Sequence, residues 1–434
     1  MISKTKTTAT QEEAKPVLVP KLRFPEFRGA DEWKSKLLGE LFADRQESGL
    51  SGLPLLSLMD KEGIVPQEDS NRKNNSNSDK SKYLRVVPGD IAYNTMRMWE
   101  GRSALVGLEG LVSPAYTVCE PQPGVHSLLF SYYFKTPQLI EQFRRFSQGL
   151  VKDTLNLKYP AFAQISAHVP PYPEQQKIAE CLSSVDELMA AQARKVDALK
   201  THKKGLMQQL FPREGETQPR LRFPEFQNAG EWEEKRVDER GNVLAGKALA
   251  VNAPGPLRPY LRTKNVLDGA IDLSDVLTMP MTDAEFSRFE VLDGDILLNE
   301  GQSLGLVGRA SIYRGEFGQR CAMQNALLRF RAFPSTCPEF AAQAFQQCQK
   351  DGTFASIATQ TTSVAHLGSS RFSALELAWP ASLAEQQRIA DCLTSLDDLI
   401  AAQTQKLEAL KTHKKALMQQ LFPAGEGERR PAAT

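Results

Sequence analysis

Two stretches of the chain, residues 174–212 and 385–423, carry hydrophobic residues at steps that alternate between four and three positions. This spacing is the heptad pattern of a coiled-coil seam rather than the broad apolar face of a globular helix. The first seam contains Ile178, Leu182, Val185, Met189, Gln192, Val196, Leu199, Leu206 and Leu210, with Lys203 in the same register. The second seam contains Ile389, Leu393, Leu396, Ile400, Gln403, Leu407, Leu410, Leu417 and Leu421, with Lys414 in register. At about 1.5 Å per residue, a helix of about 37 residues is a rod of roughly 55 Å.

The two seams most simply bury each other. Because one helix leaves the first block of the chain and the other leaves the second, a compact molecule pairs them antiparallel and holds the blocks apart. The polar seam residues Gln192 and Gln403 allow two interpretations: they fix the register at some cost in stability, or they lie at the rim and fix nothing. Pro173 before the first helix, and Pro212 and Pro423 after the helices, act as boundary signals.

The chain is an internal duplication. The segment Leu-Arg-Phe-Pro-Glu-Phe at 22–27 recurs at 221–226, an offset of 199 residues, and 174–212 recurs at 385–423, an offset of 211. Over those 39 helix positions 28 are identical, whereas the blocks between have drifted far apart. A weak echo remains in Gly-Asp-Ile at 89–91 and 294–296, with Asn94 and Asn299 three residues further on.

Each block reads as a mixed domain of strands and helices. Short strand-like runs at 84–87, 90–93, 116–119, 295–298 and 326–330 alternate with turn residues, and helical stretches follow near 130–146 and 339–350. We therefore predict an α+β (mixed α/β) fold: two domains separated by a pair of long antiparallel coiled-coil helices, related by a pseudo-twofold internal duplication.

The outer faces of the two helices are also repeated, although a seam needs only its inner positions. Thr-His-Lys-Lys at 201–204 and Met-Gln-Gln at 207–209 are identical in the second helix. Either both exteriors serve the same kind of partner, or the helix segments were recently homogenised by gene conversion. We place no metal at His202 or His413, because an isolated histidine beside lysines is usually a solvated helix residue.

Composition narrows the function only by exclusion. The net charge is +1, which lacks the basic excess of many nucleic-acid binders. Six cysteines without Cys-x-x-Cys spacing predict free thiols and a cytoplasmic location, and no apolar run is long enough to span a membrane. Motifs for ATP binding, zinc binding and dinucleotide binding are missing from the sequence, and Val-Pro-Pro-Tyr at 169–172 lacks the acceptor that an amino-methyltransferase needs. An enzyme without these motifs stays open, although it is not the economical interpretation, and we place no metal site.

Polar loops in both blocks carry the side chains that read base edges or hold phosphates. Such loops on a rigid scaffold suit DNA readout, although most surface Asn and Lys residues have no specific role. The candidate DNA-binding residues are Arg72, Lys73, Asn94, Arg97, Trp99, Arg102, Arg144, Arg145 and Lys152 in the first block, and Asn299, Gln302, Arg309, Gln324, Asn325, Gln360 and Thr361 in the second. We expect phosphate contacts from Arg144, Arg145 and Lys152.

The chain resembles the specificity subunit of type I restriction-modification systems. The resemblance covers residues 22–423 and rests on the order of variable block and conserved helix. It also rests on the Glu-Gln-Gln entries at 174–176 and 385–387, and on the Leu-Met-Gln-Gln-Leu-Phe closes at 206–211 and 417–422. The first block is similar to the family's target-recognition domains at 93–101 and 110–116. The second copy departs from the pattern at 381–384, where Ala-Ser-Leu-Ala replaces a proline-rich turn.

The resemblance implies a non-catalytic subunit. Each recognition domain would read one half of a bipartite, asymmetric target in double-stranded DNA, while the helices set the gap. Two DNA adenine methyltransferase subunits would dock on the helices, and restriction/translocase subunits would join them. S-adenosylmethionine, ATP and Mg are expected on those partners, and none in this chain. The implied domains are an N-terminal tail (1–20), recognition domain 1 (21–173), spacer helix 1 (174–212), a linker (213–220), recognition domain 2 (221–384), spacer helix 2 (385–423) and a C-terminal tail (424–434).

Two other functions stay open from the sequence. A coiled-coil scaffold could join protein partners without contacting DNA, and the seam supports that role equally well. The chain could also be the specificity subunit of a type II fused nuclease-methyltransferase, which differs only in its partner.

Overall fold

The computed structural model describes residues 19–59, 63–70, 79–213, 215–248, 252–360 and 363–423. The chain forms two compact units: unit 1 comprises 1–191 together with 407–434, and unit 2 comprises 192–406. The division falls inside both long helices, so each unit contains the start of one helix and the end of the other. The sequence instead predicts each helix as a segment of its own.

Unit 1 combines short strands with helices that precede the first long helix. Its strands are β1 (Lys34–Leu37), β2 (Phe42–Asp44), β3 (Leu56–Met59), β4 (Gly63–Pro66), β5 (Leu84–Val86), β6 (Ile91–Asn94), β7 (Ser103–Leu105), β8 (Gly110–Val112), β9 (Tyr116–Pro121) and β10 (Ser166–Val169). Its helices are α1 (Leu38–Leu41), α2 (Ser127–Tyr133), α3 (Pro137–Phe146), α4 (Tyr159–Phe162) and the first part of α5 (Tyr172–Leu210). The unit also takes the last part of the second long helix, α10 (Leu383–Leu421).

Unit 2 repeats this mixture with different loops. Its strands are β11 (Glu233–Arg236), β12 (Gly241–Ala245), β13 (Leu257–Leu261), β14 (Leu277–Pro280), β15 (Glu290–Val291), β16 (Ile296–Asn299), β17 (Gly301–Gln302), β18 (Ala310–Ile312), β19 (Cys321–Met323), β20 (Leu327–Ala332), β21 (Thr359–Gln360), β22 (Ala365–His366) and β23 (Glu376–Trp379). Its helices are α6 (Asp283–Phe289), α7 (Pro338–Lys350), α8 (Thr353–Ile357), α9 (Ser369–Ala374) and the first part of α10 (Leu383–Leu421).

The two units share the arrangement of their main sheet although their sequences have diverged. The main sheet has the antiparallel order β2-β9-β6-β7 in unit 1 and β12-β20-β16-β18 in unit 2. Beside it, β1 pairs with β10 and β11 pairs with β23, both antiparallel. The predicted α+β class and its duplication are therefore confirmed.

The predicted continuous helical stretch near 130–146 is wrong, because two helices occupy it. Helix α2 ends at Tyr133 and α3 begins at Pro137. Thr136 is extended at φ −76° and ψ 146°, since a residue before proline is driven out of the helical region. The proline itself suits the first turn of α3, where its missing N–H has no helical acceptor.

Both long helices begin two residues earlier than the sequence predicts, at Tyr172 and Leu383. Pro173 lies inside the first turn of α5 rather than before it, which costs no helical hydrogen bond. Each helix runs without interruption for 39 residues. Within the described residues, no helix combines the length and apolar character that crossing a membrane requires.

The first of the repeated motifs forms a buried ion pair at the start of each long helix. In unit 1, Arg23 donates from Nε and Nη2 to the two carboxylate oxygens of Glu174, at 2.8 and 2.7 Å. Trp33 donates from Nε1 to the same carboxylate at 3.3 Å. The Glu174 side chain is 1% exposed. This hydrogen bonding raises the pKa of Arg23 above its usual value.

Unit 2 builds the same ion pair from the second copy of each motif. Arg222 donates from Nε and Nη2 to Glu385, both at 2.7 Å, and Trp232 donates at 3.3 Å. A carboxylate in the first turn of a helix also interacts favourably with the helix dipole. The repeated motifs Leu-Arg-Phe-Pro-Glu-Phe and Glu-Gln-Gln therefore form the same contact in both units. We call this contact of arginine, tryptophan and glutamate at the start of a long helix the joint.

The glutamine after each buried glutamate completes the joint. Gln175 accepts from the His126 backbone N at 2.9 Å and donates to Pro170 O at 2.9 Å. Gln386 accepts from the Cys337 backbone N at 2.9 Å and donates to Pro380 O at 2.9 Å. A buried amide that satisfies both its donor and its acceptor fixes the direction in which the helix leaves the domain.

The far end of the other helix closes each joint. In unit 1, Phe422 stacks on Tyr133 with 4.6 Å between ring centroids and meets Trp33 edge-on at 6.3 Å. The backbone N of Leu22 donates to Gln420 O at 3.0 Å. The end of α10 therefore packs into the core of unit 1.

In unit 2, the end of α5 takes the same place. Phe211 lies 5.4 Å from Phe340 and 6.3 Å from Trp232, and Leu221 N donates to Gln209 O at 2.9 Å. The repeated Leu-Met-Gln-Gln-Leu-Phe close is thus a core element of both domains.

The helices run antiparallel within each unit. In unit 2, Gln192 donates from Nε2 to the side-chain oxygen of Gln403 at 2.9 Å and to its backbone O at 2.8 Å, and Gln192 is 8% exposed. Lys203 bonds both oxygens of Asp397 at 2.6 and 2.7 Å. From the first pair to the second, the residue number increases along α5 and decreases along α10, as expected for antiparallel helices. The glutamines therefore contact each other in the seam rather than lying at its rim.

Unit 1 contains the equivalent lysine–aspartate pair. Lys414 bonds both oxygens of Asp186 at 2.6 and 2.7 Å, and Tyr132 donates to Asp186 at 2.8 Å. In unit 2, Gln343 replaces the tyrosine and donates to Asp397 at 2.9 Å. Each pair thus ties the two helices to the neighbouring domain.

Burial is deepest where the predicted seam residues lie against a domain. The buried members are Ile178, Leu182, Val185, Gln192, Val196, Leu210, Ile389, Leu393 and Leu421. The half-buried members are Met189, Leu199, Leu206, Leu396, Ile400, Gln403, Leu407, Leu410 and Leu417. A pair of helices without a third layer leaves part of its seam open to water, which explains the second group.

The two lysine–aspartate pairs differ in burial, which predicts unequal stability effects. The Lys203 side chain is 7% exposed and Lys414 is 20% exposed. Burial lowers the pKa of Lys203, against the opposing hydrogen bond to Asp397. Because removing the partner of a buried charged donor costs about 1–3 kcal/mol, Asp397→Asn should reduce the free energy of unfolding by that amount, and Asp186→Asn by less.

Urea unfolding of the full chain, followed by circular dichroism, measures both losses. The exposed neighbour Asp398 provides the control, since Asp398→Asn should leave stability unchanged. A larger loss for Asp186→Asn than for Asp397→Asn would contradict this ranking.

Candidate nucleic-acid interface

The loop that follows β6 presents the first group of predicted residues. The side-chain oxygen of Asn94 accepts from the Met96 backbone N at 3.0 Å, and Trp99 donates from Nε1 to Met96 O at 3.0 Å. These bonds close a compact turn on the end of a buried strand. The Asn94 side-chain oxygen and the Trp99 Nε1 are therefore used in hydrogen bonds within the loop. The side chains of the two arginines of the loop are partly exposed.

Arg97 and Arg102 carry the positive charge of this loop. Their side chains are 44% and 36% exposed, and both lie near Glu100, at 3.2 and 3.5 Å. Exposed ion pairs of this kind contribute little stability, so either guanidinium can exchange its carboxylate for a base or phosphate at small cost. Directly before the loop, burial raises the pKa of Tyr93 well above its usual value, so its phenol is a neutral part of the core.

A second loop lies against the first. The backbone N of Leu157 donates to Thr95 O at 2.8 Å, which joins the segment after α3 to the loop after β6. Arg144 and Arg145 end α3, and Lys152 follows in the same segment; all three are exposed. The structure thus collects the predicted base-reading and phosphate-contacting residues of unit 1 on neighbouring loops.

Asn299 is a wrong prediction for a base contact. Its side chain is fully buried, and its Nδ2 donates to Val266 O at 3.3 Å. The covering segment around Val266 belongs to the second block, which is 12 residues longer than the first between the repeated motifs. Asn299 therefore fixes the end of β16 instead of facing a ligand.

The other predicted residues of unit 2 surround the exposed end of its main sheet. Gln302 and Gln360 both pair with Ala365 in the small sheet β17-β22-β21. Gln324 and Asn325 form the turn before β20, where Glu300 N donates to Ala326 O at 2.9 Å. These amide side chains share one edge of the unit.

Of two arginines in unit 2, the sequence predicts Arg309 as a DNA contact and gives no role to Arg371. Arg309, a predicted contact, is half-buried at the start of β18, and its backbone O accepts from Asn299 N at 3.0 Å. Arg371 was not predicted, yet it donates to Thr359 Oγ1 at 2.9 Å and to His366 O at 2.8 Å. It therefore holds the strand that carries Gln360. No spacing in the sequence connects Arg371 to that strand.

Three predicted contacts, Arg72, Lys73 and Thr361, lie outside the described residues. The two units nevertheless present different chemistry at corresponding edges. Unit 1 offers arginines and an indole, whereas unit 2 offers mainly amides.

The repeated helix exteriors form a separate surface. Thr201, His202 and Lys204 are exposed, as are their counterparts Thr412, His413 and Lys415. Lys203 and Met207 are corrections to the predicted outer face, since they are 6% and 1% exposed. Lys203 turns inward to reach Asp397, and Met207 packs in the core of unit 2.

The residues 230–412 match the family model described as the type I restriction modification DNA specificity domain. This range includes the main sheet of unit 2 and most of α10.

Two curated relatives carry a related description. The type I restriction enzyme MjaVIII specificity subunit of Methanocaldococcus jannaschii is 25% identical over 174 residues, which cover 38% of this chain and 40% of the relative. The type I restriction enzyme EcoKI specificity subunit of Escherichia coli is 25% identical over 231 residues, which cover 51% of this chain and 48% of the relative. The chain thus spans less than half the length of either relative.

The fold extends the likeness over almost the whole chain. The crystal structure of the type I restriction-modification system S subunit from M. genitalium matches with a TM-score of 0.56 and 14% identity. The match covers 94% of this chain and 99% of that structure. Residues 230–412 are thus similar to the type I restriction modification DNA specificity domain, and the fold over most of the chain is similar to that of an S subunit.

Proposed function

We propose that this chain selects the DNA target of a type I restriction-modification complex, with each unit reading one half of a bipartite target. One observation carries the proposal: the two units share sheet order and helix joint but differ in the loops at the end of the sheet. A duplicated scaffold with divergent loops suits the recognition of two different half-sites.

The loop chemistry supports an asymmetric target. Arginine pairs in a bidentate manner with guanine, whereas asparagine and glutamine pair with adenine. The side chains of Arg97 and Arg102 in unit 1 are 44% and 36% exposed, and Asn325 and Gln360 in unit 2 are exposed. The two halves of the target therefore differ in the bases that each unit prefers.

The helices supply the second part of the proposal. Both are continuous over 39 residues, which suits a spacer that sets the gap between the half-sites. Their repeated exposed faces suit the docking of two copies of one partner, an adenine methyltransferase subunit. Restriction/translocase subunits then join the assembly. The alternative function, a coiled-coil scaffold that joins protein partners without contacting DNA, would use the same helix faces but give the loops no role.

The chemistry of the complex belongs to those partners. S-adenosylmethionine would be held by the methyltransferase subunits, and ATP with Mg by the restriction subunits. This chain contributes recognition and no catalytic residue. The near-neutral charge of +1 fits an assembly in which partners neutralise much of the phosphate charge.

A genome-wide map of adenine methylation tests the proposal. The host is compared with and without this gene, in cells where the neighbouring methyltransferase gene is transcribed. We expect one gapped, asymmetric motif to lose its methylation on deletion and to regain it when the gene is restored. Methylation that is unchanged at every motif would contradict the proposal and favour the protein scaffold. A neighbouring gene that fuses nuclease and methyltransferase would instead indicate the type II arrangement.

A substitution at Arg97 tests the assignment of one half-site. If Arg97 reads a guanine, Arg97→Ala should reduce discrimination at one position by about 1–3 kcal/mol. The methylated motif should then become degenerate in one half and stay intact in the other.

Arg85→Ala is the matched control for that substitution. Arg85 lies on β5, outside the loop that follows β6, and pairs with Glu47 and Glu109. Its replacement should therefore leave the motif unchanged. An unchanged motif in Arg97→Ala would remove Arg97 from the base-reading residues.

A further inference from the structure

A fully exposed leucine stands at the tip of the loop between α3 and α4. The relative exposure of Leu150 is 101%, and that of the adjacent Val151 is 61%. The flanking Leu155 and Leu157 point inward, half-buried and buried. Covering such an exposed apolar side chain with a ligand removes it from water, which favours binding.

The loop that carries Leu150 is closed by hydrogen bonds. Gln148 and Asn156 exchange backbone bonds at 2.9 and 2.8 Å, which forms the neck of the loop. Above the neck, Val151 O accepts from both the backbone N and the Oγ1 of Thr154, each at 2.9 Å. The tip is thus ordered before any ligand arrives.

Glycine is required at the position before the tip. Gly149 has φ of +146°, and a Cβ there would lie 2.5 Å from Thr154 O. Only a residue without a side chain permits this close approach. The loop is therefore built to hold Leu150 outward.

Basic residues flank the exposed leucine along the chain. Arg144, Arg145 and Lys152 are exposed and lie near it in the chain; Arg144 pairs with Glu141 at 3.2 Å, whereas within the described part of the chain neither Arg145 nor Lys152 forms an ion pair. The tip also adjoins the loop of Arg97, through the bond from Leu157 N to Thr95 O. An exposed apolar side chain flanked by two cations without an ion pair, Arg145 and Lys152, complements a polyanion with an apolar interior.

A protein partner fits the tip less well. A stable protein interface buries roughly 800 Å² per partner, whereas the tip offers only two small apolar side chains among cations. Apolar wedges between adjacent base pairs are a recurrent device of DNA-binding proteins, with basic side chains on the flanking phosphates.

We propose that Leu150 inserts between two adjacent base pairs in the half-site read by unit 1, while Arg145 and Lys152 hold the phosphates on either side. This inference rests on the proposed function, and it adds a residue that opens the stack to those that read its edges. The wedge makes recognition depend on how easily the contacted step unstacks, and flexible pyrimidine–purine steps unstack most readily.

The test uses the full chain co-purified with its methyltransferase subunits and a duplex that contains the methylated motif. The adenine analogue 2-aminopurine, placed at successive adenine positions of the unit 1 half-site and the adjoining gap, becomes brighter where the stack opens. We expect the unaltered complex to brighten one position, and Leu150→Ala to abolish that signal and raise Kd about 10-fold. Because Leu150 contacts solvent alone, the variant should fold normally.

Leu108→Ala provides the matched control. Leu108 is a 48% exposed leucine in the turn after β7, at the opposite end of the β6–β7 pair from Asn94. Its replacement should change neither fluorescence nor Kd.

Each contrary result has its own meaning. Failure of the unaltered complex to bind the duplex would overturn the proposed function, and the wedge with it. Binding with no bright position, or Leu150→Ala that brightens and binds normally, would overturn the wedge alone. Loss of the methyltransferase subunits from the Leu150→Ala complex would make Leu150 a protein contact and also overturn it.

Discussion

The rest of the structure depends on one interaction: the ion pair between an arginine and a glutamate buried in the first turn of each long helix. Glu174 and Glu385 each bind an arginine from the start of their own domain, and both are 1% exposed. Burying an ion pair seldom adds stability, but breaking one leaves a buried charge without its partner. The joint therefore enforces geometry: the helix leaves the domain in one direction only. The phenylalanine that ends the other helix then packs on the tryptophan of the same joint.

This arrangement explains which parts of the chain stay alike and which diverge. The repeated motifs meet in three dimensions, so a change in one must suit the other two. The loops at the sheet ends bear no such constraint: unit 1 carries the 44% exposed side chain of Arg97 there, and unit 2 carries the exposed Asn325. Two copies of one joint with less constrained loops therefore allow the loops to change without loss of the fold.

The seam period predicts both long helices to within two residues, since a heptad pattern depends only on local spacing. Gln192 and Gln403 stay ambiguous in sequence because a seam or rim position has the same spacing; only their hydrogen bond decides. The burial of Asn299 escapes prediction because a distant segment, at Val266, covers it. Leu150 escapes for the opposite reason, since nothing in sequence marks a leucine that stays in water. The role of Glu174 requires knowledge of which motifs meet, and repetition alone does not supply it.

The end of each long helix completes the core of the domain at the start of the other. Hydrogen–deuterium exchange of Phe422→Ala in the full chain tests it most directly, with Phe211→Ala as the matched variant. Because a buried phenylalanine is worth about 3–5 kcal/mol, Phe422→Ala should speed exchange in peptides around Trp33 and Tyr133, nearly the whole chain away, and spare those around Trp232. Phe211→Ala should give the reverse pattern. Faster exchange confined to the end of α10, or spread equally over both units, would contradict the claim.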